Sequence, residues 1–303
     1  MRVTLTGATG LIGARLVAAL RGRGDEVTVL SRSPERARER LGAGIDAAAW
    51  DPLAGPAPAG ALGGADAVVH LAGEPVAQRW SAEAKERIRS SREHGTANLV
   101  AGLRAAEPAP RALVSASAVG YYGPRGDEQL DESAPPGEDF LAQVCVAWER
   151  KAQTAAELGI RVAVVRTGVV LDAGGGALAK MLPPFRAGVG GPVAGGRQWM
   201  PWIHLDDLVG IYLAALDGGA DWSGPLNGSA PAPATNAELS RALGRVLRRP
   251  AVLPVPAFAL RLLYGEMAQI VTTGQRAVPR RALALGYAFR HPGLEPALRA
   301  ALS

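Results

Sequence analysis

Three groups of residues in this 303-residue sequence have types and spacings that could do chemistry. The first is Gly7, Gly10 and Gly13 in "TGATGLIG", set between an apolar run and a helical pattern. The first glycine of such a triplet lets the chain turn, the second lets the backbone approach a pyrophosphate, and the third permits close helix–strand packing. A helix N-terminus then presents free N–H groups and partial positive charge to phosphates. The strand-turn-helix context makes this a dinucleotide fingerprint rather than a chance run of glycines. At the end of the second strand pattern stand Ser31 and Arg32. An NAD site usually has a carboxylate there for the ribose 2′-hydroxyl, whereas a hydroxyl followed by arginine suits a 2′-phosphate. The expected cofactor is therefore NADP, with NAD second.

The second group is Cys145 and Glu149 in "QVCVAWERK", which holds the only cysteine. Four-residue spacing puts both on one face of a helix. Leu141, Val144, Cys145, Trp148, Ala152 and Ala155 recur at three- and four-residue steps, a core-facing stripe that makes Cys145 a small buried hydrophobe. Glu149 lies at the stripe's edge, able to pair with Arg166 or Arg92 or to act as a general base. The third group is "RQWMPWIHLDD". His204, just before a helix, is placed to cap it or to bind substrate. Asp206 and Asp207 are expected to cap that helix and complement its dipole. His204 and His70 have no metal-ligand spacing, so no metal is expected.

The elements that must position these residues alternate in type. Strand patterns at "RVTLT", "EVTVLSR", "IDAAAWD", "DAVVHLAG", "RALVSAS" and "RVAVVRTG" are separated by helical patterns, including "SPERARERL" with Ser33 as cap and Pro34 at its first position. "SAEAKERIRSSREHGTANLVAGLRAA" reads as one long helix or two, and "PLAGPAPAGALGG" as a loop. This alternation predicts an α/β doubly wound parallel sheet, a Rossmann arrangement with helices on both faces. After Arg166 the chain turns rich in glycine and proline, and from "PAPATNAELSRAL" onward it is mostly helical. Residues 1–230 are expected to form the cofactor-binding domain, with segments from about 170 reaching the substrate cleft. Residues 231–303 are expected to form a smaller, mostly helical domain packed against it.

Bulk composition narrows the function classes. Net charge is +5, but the arginines are scattered and mostly alternate with glutamate. With three lysines and 5% aromatics, a nucleic-acid stacking platform is not expected. A single cysteine excludes an intrachain disulfide. No apolar run is long enough to span a membrane, and "MRVTLTGATG" begins a strand at once, so a cytoplasmic protein without nucleic-acid or membrane partners is expected.

Together "TGATGLIG", "SRSPER", "HLAGEPVAQRW", "SREHGTANLV", "SASAVGYYG", "FLAQVCVAWE", "VRTGVVL" and "GGPVAGGRQWMPWIHLDDLVG" resemble the extended short-chain dehydrogenase/reductase superfamily. More closely, they resemble its atypical epimerase-like branch, historically mislabelled as cell-division inhibitors. The C-terminal "RRPAVLPVPAFALRLLYGEMA" and "TTGQRAVPRRALALGYAFRHPGLEPAL" resemble that branch's small closing domain. The resemblance implies a nicotinamide cofactor across the carboxyl ends of the strands. It implies cofactor contacts at Gly7, Gly10, Leu11, Ile12, Ser31, Arg32, Leu71, Ala72 and Gly73. Arg92, near the Gly95-Thr96 pair, is either a pyrophosphate contact or a solvated helix residue. Arg166 and Val169 would border the nicotinamide. Trp199, Trp202 and His204 would lie at the floor of the substrate cleft.

The superfamily's usual hydride chemistry employs a serine, a tyrosine, and a lysine four residues after the tyrosine. Ser117 matches the serine, and Tyr121 and Tyr122 offer a phenol from the following loop. Cys145 and Glu149 occupy the tyrosine and lysine positions. A nearby carboxylate opposes thiolate formation where a lysine would favour a phenolate, so Cys–Glu is not a simple replacement. Two functions stay open at this point. One is an NADP-binding, epimerase-like oxidoreductase of a small-molecule substrate, monomeric or homodimeric. The other is an NADP-binding regulatory or scaffold protein that has lost catalysis.

Overall fold

The protein's structure, a computed structural model, describes residues 1–42 and 44–303. Seven strands form its main sheet: β1 (Arg2–Thr6), β2 (Glu26–Ser31), β3 (Asp46–Ala49), β4 (Ala67–His70), β5 (Ala112–Ala118), β6 (Arg161–Thr167) and β7 (Gly224–Gly228). All pair in parallel, in the order β7-β6-β5-β4-β1-β2-β3. β4 is buried along its whole length and β6 along its middle, as strands covered on both faces must be. The longer helices are α1 (Leu11–Gly22), α2 (Pro34–Leu41), α3 (Ala82–Arg104), α4 (Phe140–Gln153), α5 (Gly176–Arg186), α6 (Leu205–Asp217), α7 (Asn236–Leu247), α8 (Ala257–Tyr264) and α9 (Leu294–Leu302).

One core joins Leu16, Val17 and Leu20 of α1 and Leu208, Ile211 and Tyr212 of α6 to the sheet. A second joins Leu99 and Leu103 of α3 and Ala152 of α4 to it. The sheet is thus doubly wound, as the alternation predicts. Strand order reverses between β1 and β4, and in open α/β sheets ligands bind outside the carboxyl ends at such a switch point. A third core draws Leu178 and Leu182 of α5, Trp202, Leu239 and Leu243 of α7, and Leu298 of α9 into one helical layer. That layer therefore recruits chain from before residue 231 as well as after it.

Several local expectations are refined. The segment 81–106 is a single helix, because Ser81 accepts the Ala84 N–H as its N-cap and Gly95 packs closely against Pro52 without breaking it. The Pro/Gly/Ala loop contains a helical turn at Ala59–Leu62. Ser33 does not cap α2 through its side chain; its backbone N–H donates to the Ser31 hydroxyl at 3.1 Å. Asp207 does not cap α6; it is fully buried and accepts the Arg290 and His291 backbone N–H groups at 2.7 and 2.9 Å. It thereby holds the C-terminal chain against the sheet domain. Among the described residues no helix is long and apolar enough to cross a membrane.

Candidate cofactor and substrate site

The turn after β1 is built for close backbone approach. Gly7 has φ +67°, and a Cβ there would stand 2.6 Å from the Leu71 carbonyl carbon. A Cβ at Gly13 would overlap the Gly7 carbonyl oxygen and come within 2.6 Å of the Ala8 Cα. Gly10 caps α1 without a side chain, its N–H bonded to the Gly7 carbonyl at 3.1 Å. Among the described residues the N–H groups of Leu11, Ile12 and Gly13 have no carbonyl partner. They are the orphan donors of a helix start, left open at the switch point.

The neighbouring Leu71-Ala72-Gly73 turn is fixed from inside. Thr6 Oγ1 accepts the Leu71 and Ala72 N–H groups, each at 3.2 Å, and lies 2.7 Å from His70 Nδ1. The hydroxyl proton therefore goes to Nδ1, and Nε2–H of His70 donates to Thr96 Oγ1 at 3.0 Å. Burial, and then the Arg92 charge, lower the His70 pKa to about 4, so the ring stays neutral at physiological pH. At the end of β2 the Ser31 hydroxyl donates to the Ser33 carbonyl at 3.3 Å, and Arg32 is exposed with no partner among the described residues. A basic side chain stands free beside the N-terminus of α2.

Ser117, Arg166 and Asn227 stand side by side in register on β5, β6 and β7. Around them is a buried polar network. Arg166 Nε and Nη2 form a bidentate pair with Glu149 at 2.9 and 2.8 Å, and Ser117 donates to the same carboxylate at 2.7 Å. The pair is largely buried, with side-chain exposures of 4% for Arg166 and 14% for Glu149. Arg166 Nη1 donates to the Tyr122 hydroxyl at 3.0 Å, and Tyr122 donates to Asn227 at 2.7 Å. The Arg166 guanidinium also stacks 3.4 Å from the Tyr121 ring centre. Burial alone would lower the Arg166 pKa, but the Glu149 hydrogen bonds and charge outweigh it and hold it above its ordinary value. Burial likewise pushes the Tyr122 phenol up to about 12, against the lowering influence of Arg166. Glu149 thus pairs with Arg166 rather than Arg92, and its carboxylate is engaged from two sides.

Beside this network lies a cavity of about 290 Å³ with a mostly apolar wall. Val144, Cys145 and Trp148 of α4 line it with Arg92, Val169 and Trp199. The α4 stripe expected to face a closed core therefore faces a cavity over much of its length. Ser117, Glu149, Tyr121 and Arg166 are not on the lining. Burial first, and then the neighbouring Glu149, push the Cys145 thiol up to about 12. Cys145 is accordingly a neutral apolar wall residue. Cys145→Ala is expected to cost on the order of 1 kcal/mol of stability. It should leave cofactor affinity unchanged in a binding titration; a large loss of affinity would count against this assignment.

Of the aromatic segment, Trp199 reaches the cavity, with its indole N–H on Asp127 at 2.7 Å. Trp202 is fully buried in the helical layer and donates to the Ala232 carbonyl at 3.0 Å. His204 caps α6 by accepting the Asp206 N–H on Nδ1, and its ring lies 3.9 Å from that of His291. Neither Trp202 nor His204 lines the cavity. His204, His291 and Asp206 bring ligand-type atoms within 4.8 Å of one another, a cluster the sequence spacing does not reveal. Arg15 already pairs with Asp206 there. The sequence also gives no direct sign of Gln269, Ile270, Thr273 and Gln275, which close the cavity from the C-terminal part. Its one local signal is Gly274, where a Cβ would overlap the Trp199 backbone.

Comparison with known proteins agrees with this architecture. The sequence model of the NAD dependent epimerase/dehydratase family matches residues 3–224, and one described as a domain of unknown function matches residues 255–301. An Arabidopsis thaliana protein named epimerase family protein SDR39U1 homolog, chloroplastic, is 44% identical over 99% of this chain and 86% of its own length. The Homo sapiens epimerase family protein SDR39U1 is 40% identical over 99% of both chains. A crystal structure of the human protein (isoform 2) with NADPH superposes with a TM-score of 0.88 at 38% identity, covering all of both chains. With its fingerprint turn, doubly wound sheet and C-terminal helical layer, this chain belongs to the NAD dependent epimerase/dehydratase family.

Proposed function

We propose that this protein is an NADP(H)-binding, epimerase-like oxidoreductase acting on a small molecule held in the cavity beside α4. The observation that carries this reading is the open N-terminus of α1, cradled by Gly7 and Gly13 at the switch point. The human relative crystallised with NADPH supports the same cofactor. Bound NADPH supplies a hydride. The chain's own residues supply the rest: the Gly7–Ile12 turn takes the pyrophosphate, Ser31 and Arg32 take the 2′-phosphate, and Val169 borders the nicotinamide. The family resemblance expects tyrosine and lysine where Cys145 and Glu149 stand, and no tyrosine anywhere in the sequence has a lysine four residues after it. Carbonyl reduction here therefore proceeds without the usual phenol.

A charge-assisted hydrogen bond contributes about 1.5–3 kcal/mol, so an intact Arg32 contact gives a roughly 10- to 150-fold preference for NADPH over NADH. Arg32→Ala is expected to erase most of that preference while leaving NADH affinity unchanged, as read by titrating both cofactors. Unchanged discrimination would remove Arg32 from the site. One observation favours the regulatory alternative: the Glu149 carboxylate already accepts from Arg166 and Ser117 and is not on the cavity lining. NADPH oxidation over a panel of carbonyl compounds and quinones separates the two. Turnover supports the enzyme, and tight cofactor binding with no turnover of any member supports the regulator.

A further inference from the structure

The cavity wall carries an unmatched charge. Arg92 lines it and stacks over Trp148, with its guanidinium carbon 4.9 Å from the ring centre. Both of its hydrogen bonds, to the Glu74 and Ile88 carbonyls at 3.0 and 3.1 Å, leave from Nη1 alone. Nη2 and Nε have no partner, and no carboxylate lies within ion-pair distance of Arg92 among the described residues. Beside it, the Trp148 indole N–H is buried and unpaired. Burial holds the Arg92 pKa below its ordinary value, with Cys145 and Glu74 acting against that. Asp139, the one carboxylate on the cavity lining among the described residues, is committed to the N-cap of α4 at 2.8 Å from the Ala142 N–H.

The open Nε–Nη2 edge of Arg92 and the buried, unpaired Trp148 N–H on the wall of an apolar cavity offer the donors and the charge that an oxyanion would complete. We propose that the cavity takes an apolar organic acid, its carboxylate held by Arg92 beside Trp148 and its hydrocarbon body lying along Val144, Cys145, Val169 and Trp199. This names a substrate class for the proposed oxidoreductase and rests on that reading for the neighbouring cofactor. A carboxylate is favoured over a nucleotide-linked sugar because the wall is mostly apolar and its neutral polar side chains are few: Thr167 and Thr273 already donate to backbone carbonyls at 3.4 and 2.8 Å, which leaves the Gln269 and Gln275 amides. Arg92 also passes close to the cofactor side, since a Cβ at Gly73 would stand 3.2 Å from its Cζ. The oxyanion it completes could then be a cofactor phosphate, and the test must tell the two apart.

Calorimetric titration of the full chain, with and without saturating NADP⁺, decides this without requiring turnover. The probes are cinnamate, 3-phenylpropionate and 2-naphthoate, each against its neutral amide. At least one acid is expected to bind about tenfold or more tighter than its amide. Arg92→Gln is expected to abolish that difference while NADP⁺ affinity changes by less than about twofold. Arg92→Lys should restore part of the acid preference, showing that the charge matters and not only the packing on Trp148. Retained NADP⁺ binding by either variant also shows that it folds. Equal binding of acids and amides, or no binding of either, overturns the proposal. So does a large loss of NADP⁺ affinity in Arg92→Gln with acid binding intact, which would assign Arg92 to the cofactor phosphates. If NADP⁺ itself fails to bind wild-type protein, the oxidoreductase reading falls separately, and the acid titration without cofactor still judges the cavity.

Discussion

Glu149→Leu is expected to lower the free energy of unfolding by about 3–5 kcal/mol, the cost of removing one partner from a buried ion pair. The reason is the charge it abandons. The Arg166 side chain is 4% exposed and donates two of its hydrogen bonds to that carboxylate. Its remaining partners, the Tyr122 hydroxyl and the Glu132 carbonyl, are neutral. Leucine would leave the guanidinium buried without counter-charge and free the Ser117 hydroxyl as well. The double variant Glu149→Leu/Arg166→Met removes both charges and should recover a substantial part of the loss, because two charges no longer need to be desolvated. Urea unfolding of the two variants and wild type measures this. A single-variant cost below about 1 kcal/mol would mean the pair is worth no more than a surface salt bridge. A double variant no better than the single one would mean that Arg166 matters through its packing on Tyr121 rather than its charge.

That network also marks the boundary between what the sequence conveys and what it does not. The sheet is legible because its signals are local: an apolar strand, a glycine turn and a periodic helix recur within about thirty residues, as βαβ units must. The turn at Gly7, Gly10 and Gly13 is legible for the same reason. Pairing between Glu149 and Arg166 is partly legible, since both lie at the edges of elements that a doubly wound sheet brings together. Which face each residue presents is not. Trp199 and Trp202 are three residues apart in one segment, yet one meets the cavity and the other fills the helical layer. The pivot is Pro201, whose carbonyl accepts the Val169 N–H at 2.8 Å, and only the tertiary path of residues 169–171 fixes it. Arg92 is unreadable for a similar reason. An arginine in an "SREHG" run has the composition of a solvated helix face, and only the packing of α3 against α4 turns it onto Trp148. Asp207 looks like a helix cap from its neighbours, but its partners lie more than eighty residues away.

Gly13→Ala sets two such levels against each other. Within a helix, alanine is favoured over glycine by about 1 kcal/mol, so propensity alone predicts stabilisation. Packing predicts the reverse. A Cβ at Gly13 would overlap the Gly7 carbonyl oxygen and lie 2.6 Å from the Ala8 Cα. Both are backbone atoms of the turn and cannot rotate away as a flexible side chain could. Overpacking of this kind typically costs 1–3 kcal/mol, enough to cancel the propensity gain and leave a net loss. The larger effect falls on the cofactor. Relief of the clash must push the Gly7 carbonyl outward, and that carbonyl anchors the Gly10 N–H at 3.1 Å. The open N–H groups of Leu11 and Ile12 then lose their alignment at the switch point. NADPH affinity is expected to fall by about 100-fold or more, roughly 2.7 kcal/mol. Gly22→Ala is the control, because Gly22 lies in the same helix with nothing within 4 Å of an added Cβ. It should gain up to about 1 kcal/mol of stability and leave affinity untouched. If Gly13→Ala behaves like Gly22→Ala in unfolding and in NADPH titration, the turn yields without consequence, and close approach at Gly13 is not what holds the cofactor.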